Sequence, residues 1–233
     1  MPQDTKVKIC GLTCREDADS VIRAGADFAG MVVFYPKSHR NLFIERAASL
    51  LKYFKGMSSD IKLVAVTVSP TYEQLEQIAE AGFDYIQIHG ILNMQLFKSR
   101  YVSEGKLAII RAYNSIDDNV MEEIEVLNKE SSVAYYLFDA SEPGSGSEFD
   151  WGKIPHEKLC KPFFLAGGLS PDNVSEAVRQ VAAFGVDVSS GVELDREDPE
   201  VTFPSPEEVE AGKSMKDRDK IIRFVNAVRE VQI

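Results

Sequence analysis

Cys10 closes the run Lys6-Val7-Lys8-Ile9, whose alternation of polar and apolar residues is that of a strand. The next segment carries Ala18, Val21, Ile22 and Ala24 at helical spacing, so the thiol stands where a strand hands over to a helix. In a parallel α/β sheet or barrel that handover is the ligand face, which makes Cys10 the first candidate for chemistry. Asp139 is the second, because a carboxylate interrupts the apolar run Tyr135-Tyr136-Leu137-Phe138 at the same kind of position. A lone aspartate after a strand ordinarily caps a helix or forms a turn. Here Ser141-Glu142-Pro143-Gly144-Ser145-Gly146-Ser147 follows, a glycine-serine loop and no immediate helix start, which weakens the cap reading.

Two glycine-bearing loops add a different chemistry. Leu165-Ala166-Gly167-Gly168-Leu169 and Val186-Asp187-Val188-Ser189-Ser190-Gly191-Val192 each end an apolar run in small residues whose backbone N–H groups can close on an anion. Either could be a plain tight turn. Their occurrence after the last two strands of a barrel is where phosphate sites are commonly built, so Gly167, Gly168, Ser189, Ser190 and Gly191 point to a small phosphorylated substrate. A basic cluster, Lys37-Ser38-His39-Arg40, follows the second strand; the planar fork of Arg40 matches a carboxylate or phosphate, although a solvated basic loop is the plainer reading of these residues taken alone. His89 ends a strand in Gln87-Ile88-His89-Gly90 and faces the same side, and Arg111 either contacts ligand or pairs with a carboxylate across the barrel top. His39, His89 and His156 share no ligand spacing, which predicts no metal site.

The elements that must position these groups repeat with a strand-then-helix rhythm. Strands are expected over 7–10, 28–34, 63–68, 85–88, 107–111, 134–139, 163–166 and 186–189, and helices over 15–25, 44–54, 72–81, 92–101, 116–128, 151–159, 171–182 and 217–231, with Gly25, Gly56 and Gly82 as C-caps. Eight such units predict a single-domain (β/α)8 TIM barrel spanning 1–233, because closure leaves no unpaired strand edge. The segment 195–212 breaks the rhythm with acidic residues and Pro199, Pro204 and Pro206, and reads as a solvated loop insertion.

Composition bounds the rest. The chain has 233 residues, 44% apolar, enough for one full core. A net charge of −11 disfavours nucleic acid and anionic membranes as partners, so an anionic substrate requires a locally positive pocket. Three cysteines without disulfide spacing, no apolar leader and no membrane-length run together predict a cytoplasmic protein.

The ordered segments Lys8-Ile9-Cys10-Gly11-Leu12-Thr13, Phe34-Tyr35-Pro36-Lys37-Ser38 with Arg40, Gln87-Ile88-His89-Gly90, Phe149-Asp150-Trp151, Leu165-Ala166-Gly167-Gly168-Leu169 and Gly185 to Glu193 resemble those of the phosphoribosylanthranilate isomerase family across nearly the whole chain. The resemblance implies an Amadori rearrangement in tryptophan biosynthesis, without metal or organic cofactor. It implies Cys10 as general base, Asp139 as general acid, Arg40 on the anthranilate carboxylate, Asp187 near the anthranilate amine and the two glycine loops on the phosphate. It also requires a depressed Cys10 pKa, since an unperturbed thiol is mostly protonated at neutral pH. Asp139-Ala140 and a short following loop depart from the family pattern, as does the length of 195–212. The histidine-pathway aldose–ketose isomerase is a sibling reading, but it carries Asp where Cys10 stands and needs two phosphate sites. A non-catalytic sugar-phosphate-binding barrel is opposed by the presence of both acid and base. Monomer and homodimer are both compatible with the sequence.

Overall fold

A computed structural model describes residues 4–57, 60–114, 116–139, 154–195 and 202–231. Its strands are β1 (Lys6–Ile9), β2 (Phe28–Val33), β3 (Asn41–Leu42), β4 (Lys62–Val68), β5 (Tyr85–His89), β6 (Ala108–Tyr113), β7 (Val133–Asp139), β8 (Phe163–Ala166) and β9 (Gly185–Val188). All pairings are parallel, and β1 bonds both β2 and β9, so eight strands close into a ring with β3 as a short addition outside β2. Closure removes the edges that an open sheet would expose. The expected (β/α)8 barrel is therefore the observed fold.

Alternation along each strand makes two cores. Val7, Ile9, Met31, Leu63, Ile86, Tyr136 and Leu165 pack outward against the helices, while Phe28, Val64, Val66, Ile110, Leu137 and Phe164 fill the interior. At the N-terminal end of the barrel, Phe28, Tyr85, Tyr135, Phe164 and Phe184 stack with centroids between 4.7 and 6.5 Å apart. These rings fill that end of the barrel interior.

The helices are α1 (Arg15–Ala24), α2 (Ile44–Met57), α3 (Tyr72–Ala81), α4 (Arg100–Ser103), α5 (Asp118–Leu127), α6 (Val174–Gln180), α7 (Pro206–Glu210) and α8 (Arg218–Glu230). Gly25 and Gly82 end α1 and α3 in the left-handed conformation, as expected. Gly56, expected as a cap, lies inside α2. The fourth helix is not continuous: a 3₁₀ turn over Met94–Lys98 gives way to α4 at Ser99, whose hydroxyl accepts the Tyr101 N–H and bonds Glu76, pulling the backbone out of the helical ladder. The described part of the sixth segment is a 3₁₀ turn at His156–Lys158. The glycine-serine run 141–147 and Phe149-Asp150-Trp151 lie outside the described residues.

Of the expected solvated loop over 195–212, residues 196–201 lie outside the described residues, and the part from 202 onward needs correction. Ser205 and Glu208 form a reciprocal capping box that starts α7, and Val209 from that helix is buried. The chain then returns beneath the β9 loop: Leu194 N–H donates to Met215 O (2.9 Å), Asp217 N–H donates to Val192 O (2.9 Å), and Ser214 donates to Asp17 (2.5 Å). Met215 and Lys216 are buried by this return. Among the described residues no helix is long and apolar enough to cross a membrane.

Candidate active site

The strand ends gather the candidate residues at one mouth. Cys10 follows β1, with its N–H donated to Val188 O (2.8 Å), and Gly11 and Leu12 both donate to Gly30 O, which turns the chain sharply into α1. Two residues earlier on the same face, Lys8 is fully buried; its Nζ donates to Asp187 Oδ1 at 2.9 Å and lies near enough to Cys10 for the two to interact electrostatically. Lys8 and Asp187 are register partners across β1 and β9, so the pairing follows directly from barrel closure. Gly30 on β2 makes room for both groups: a Cβ there would stand 3.1 Å from Cys10 Sγ and 3.2 Å from Lys8 Nζ.

This burial sets the ionisation of the trio. Desolvation works against the Lys8 ammonium, but Asp187 and the Cys10 sulfur outweigh it and hold its pKa above the ordinary lysine value. Desolvation pushes the Asp187 carboxyl up against the attraction of Lys8, and nearby Asp139 adds to the rise. The Cys10 thiol also moves up, since burial and the Asp187 carboxylate exceed the lowering by Lys8, Lys216 and Arg40. The expected depression is thus not found, because burial of the thiol outweighs the cations that favour a thiolate.

Asp139 is the last residue of β7, half-buried and close enough to His89 and Asp187 to influence both. His89 ends β5. Gln87 Nε2, which can only donate, lies 2.8 Å from His89 Nε2, so that ring nitrogen accepts and Nδ1–H points to Asn114 Oδ1 at 3.4 Å. Burial lowers the His89 pKa and keeps this tautomer neutral. Arg111 does not reach the mouth as a ligand contact. Its Nη1 donates to Ile88 O and Ala112 O, and its Nε pairs with Glu123 at 2.5 Å.

Arg40 crosses from the β2 loop over Gly11, where a Cβ would fall 2.4 Å from its Cδ. Its Nε donates to Glu193 Oε1 at 2.5 Å. The same carboxylate accepts Lys216 Nζ at 3.2 Å and faces His39 Nε2 at 3.7 Å. Burial pushes the Glu193 pKa up, but Arg40 and Lys216 prevail and hold it at about 2. Lys216, opposed by Arg40 and bonded to one carboxylate, is drawn below the ordinary lysine value by desolvation. Lys216 Nζ also donates to Ser189 O (2.9 Å), and Ser189 Oγ donates to Cys10 O (3.1 Å). Arg40 and Lys216 converge on the one carboxylate of Glu193 in this corner.

The glycine loops meet beside it. Gly167 and Gly168 follow β8 with positive φ, and Ser190–Val192 forms a 3₁₀ turn after Ser189. The turn approaches so closely that a Cβ on Gly191 would lie 1.9 Å from Leu169 O. The structure therefore brings Cys10, Asp139, Asp187, His89, Arg40 and both loops to one mouth. Lys8, Glu193 and Lys216 had no role assigned from sequence. Lys8 carried the one usable signal, sharing the strand face of Cys10 at a spacing of two.

The family model described as N-(5'phosphoribosyl)anthranilate (PRA) isomerase matches residues 7–196. An N-(5'-phosphoribosyl)anthranilate isomerase of Streptococcus pneumoniae (strain Taiwan19F-14) is 39% identical over 226 residues, covering 97% of this chain and 96% of the relative. The crystal structure of phosphoribosyl anthranilate isomerase from Thermotoga maritima superimposes with a TM-score of 0.74 at 31% identity, over 97% of this chain and 99% of that one. A phosphoribosyl anthranilate isomerase solved in complex with reduced 1-(o-carboxyphenylamino)-1-deoxyribulose 5-phosphate gives a TM-score of 0.72 at 30% identity, with the same coverage.

Proposed function

Because the chain belongs to the N-(5′-phosphoribosyl)anthranilate isomerase family, we propose that Cys10 is the general base and Asp139 the general acid of its reaction. The protein isomerises N-(5′-phosphoribosyl)anthranilate to 1-(2-carboxyphenylamino)-1-deoxyribulose 5-phosphate in tryptophan biosynthesis. The observation that carries the assignment is that the thiol follows β1 and the carboxyl ends β7 at one mouth, both near enough to the Lys8–Asp187 pair to interact with it electrostatically.

Asp139 gives its proton to the ring oxygen as the C1′–O bond breaks, leaving a protonated Schiff base. The thiolate of Cys10 takes the C2′ proton, the electron pair moves to C1′–C2′, and the resulting enolamine gains a proton at C1′ and loses one from its 2′-hydroxyl to give the ketone. Lys8, Arg40 and Lys216 favour the thiolate, and the cationic Schiff base adds a fourth positive charge when the base is needed. Asp187 faces the anthranilate amine, neutral His89 lines the same wall, and the N–H groups of Gly167, Gly168, Ser190 and Gly191 take the phosphate beside Ser189, whose hydroxyl proton is held by Cys10 O.

Loss of phosphoribosylanthranilate fluorescence tests the roles. Asp139→Asn, Cys10→Ala and Cys10→Ser should each lower kcat by about 10²–10⁴-fold, as expected for a lost acid or base. Cys14→Ala should remain active, because Cys14 is the N-cap of α1 and does not stand at a strand end. Wild-type turnover in Cys10→Ala, or inactivity of a folded Cys14→Ala, would reassign the base.

A further inference from the structure

We propose that Glu193 is a positioning residue that aims Arg40 at the substrate's carboxylate, so that selectivity for an ortho-carboxylated aromatic amine depends on a residue that does not touch it. The proposal rests on the reading of Arg40 as the anthranilate carboxylate's partner. A guanidinium presents two donor edges, and Glu193 engages only the Nε side. Among the described residues no acceptor is bonded to either terminal nitrogen, which leaves the Nη1–Nη2 edge for a second carboxylate.

The anchor is rigid for stated reasons. Glu193 is 5% exposed and follows directly on the turn at Ser190–Val192. Lys216 Nζ holds the same oxygen that receives Arg40, and His39 faces the other. The antiparallel bridge between Glu193 and Lys216 fixes both backbones. An arginine side chain loses much rotamer freedom when it is ordered, so fixing its plane beforehand reduces what binding must order. Lys216 shares the Glu193 carboxylate, so Glu193 does not fully neutralise Arg40.

The experiment compares two substrates, phosphoribosylanthranilate and the aniline analogue that lacks the carboxylate, with product formation followed chromatographically for both. Arg40→Ala should lower kcat/KM for the anthranilate substrate by about 10- to 100-fold, the range for a charge-assisted hydrogen bond, and change the analogue by less than threefold. Glu193→Gln should reproduce that selective loss at about 5- to 30-fold, chiefly in KM, because the neutral amide holds the guanidinium weakly. Glu193→Asp retains a charge beside Lys216 but withdraws it from Arg40, and should show the same selectivity if the glutamine variant does not fold.

Equal losses on both substrates in Arg40→Ala would place Arg40 on the phosphoribosyl part and refute the underlying reading. A carboxylate-selective loss in Arg40→Ala with no such selectivity in either Glu193 variant would overturn the positioning role while leaving that reading intact.

Discussion

Gly191→Ala is the smallest change that should dislocate the proposed phosphate subsite. A Cβ at this position would stand 1.9 Å from Leu169 O, 3.0 Å from Leu169 C and 3.1 Å from Ser170 Cα. Cβ contacts below 3.0 Å are essentially never seen, and the obstacle is backbone, so the β8 and β9 loops must part by about 1 Å. That gap would stretch N–H···O bonds of about 2.9 Å beyond useful length, and a 1 Å misplacement in a site can cost roughly 10²-fold. KM should therefore rise by about 30-fold or more, and inhibition by ribose 5-phosphate should weaken in parallel. Gly168→Ala is the companion variant. Its φ is +63° and nothing lies within 4 Å of the added carbon, so it carries backbone strain of about 1–2 kcal/mol without forcing the loops apart. Steady-state fluorescence kinetics and thermal melts separate the two. A Gly191→Ala enzyme with KM within threefold of wild type and an unshifted Tm would show that the loops relax freely and that their contact does not shape the phosphate subsite.

Three further outcomes are expected. In a Cys160→Ser background, which removes the exposed thiol, alkylation of Cys10 by iodoacetamide should keep accelerating above pH 9 because burial raises its pKa, and Lys8→Met should slow it at every pH; a plateau below pH 8 would contradict this. Cys14, pushed up to about 12, should stay unmodified throughout. Glu193 falls from 4.5 to about 2 on folding, so it adds stability that is fully present above pH 5 and disappears as pH drops toward 2, about 3 kcal/mol in all; melts of wild type and Glu193→Gln should converge across that window. Val209→Asp should lower Tm by about 5 °C or more, since it puts an unpaired carboxylate in a buried position, whereas a solvated loop would tolerate it.

The barrel was legible because its signals are local. Apolar strands, glycine-ended helices and the placement of Cys10 and Asp139 at strand ends all sit within a few residues, and the two glycine loops declared themselves by composition. What stayed hidden has three physical origins. In Lys6-Val7-Lys8-Ile9 alternation marks a strand but does not say what Lys8 meets; a closed parallel barrel buries both faces of β1, and Lys8 points inside to an aspartate 179 residues away. Arg40 looked like part of a solvated loop because its partner Glu193 is 153 residues distant, and Lys216 lay beyond a proline-rich stretch that showed no periodicity. The break in the fourth helix came from Ser99 competing for backbone donors, a contest that apolar spacing does not register.

The Lys8–Asp187 pair joins the first strand of the ring to the last. Until β9 docks, Lys8 has no carboxylate beside it and its ammonium cannot leave water cheaply, so the interior stays wet. Bringing together residues 179 apart is also among the costliest loop closures the chain makes, which places it late among its folding events. Closing the seam and assembling the proton-transfer site are consequently one step: a nascent chain that has not yet delivered β9 carries Cys10 without the charge pair that surrounds it, and activity should appear during refolding only with the last, slowest gain of tertiary structure.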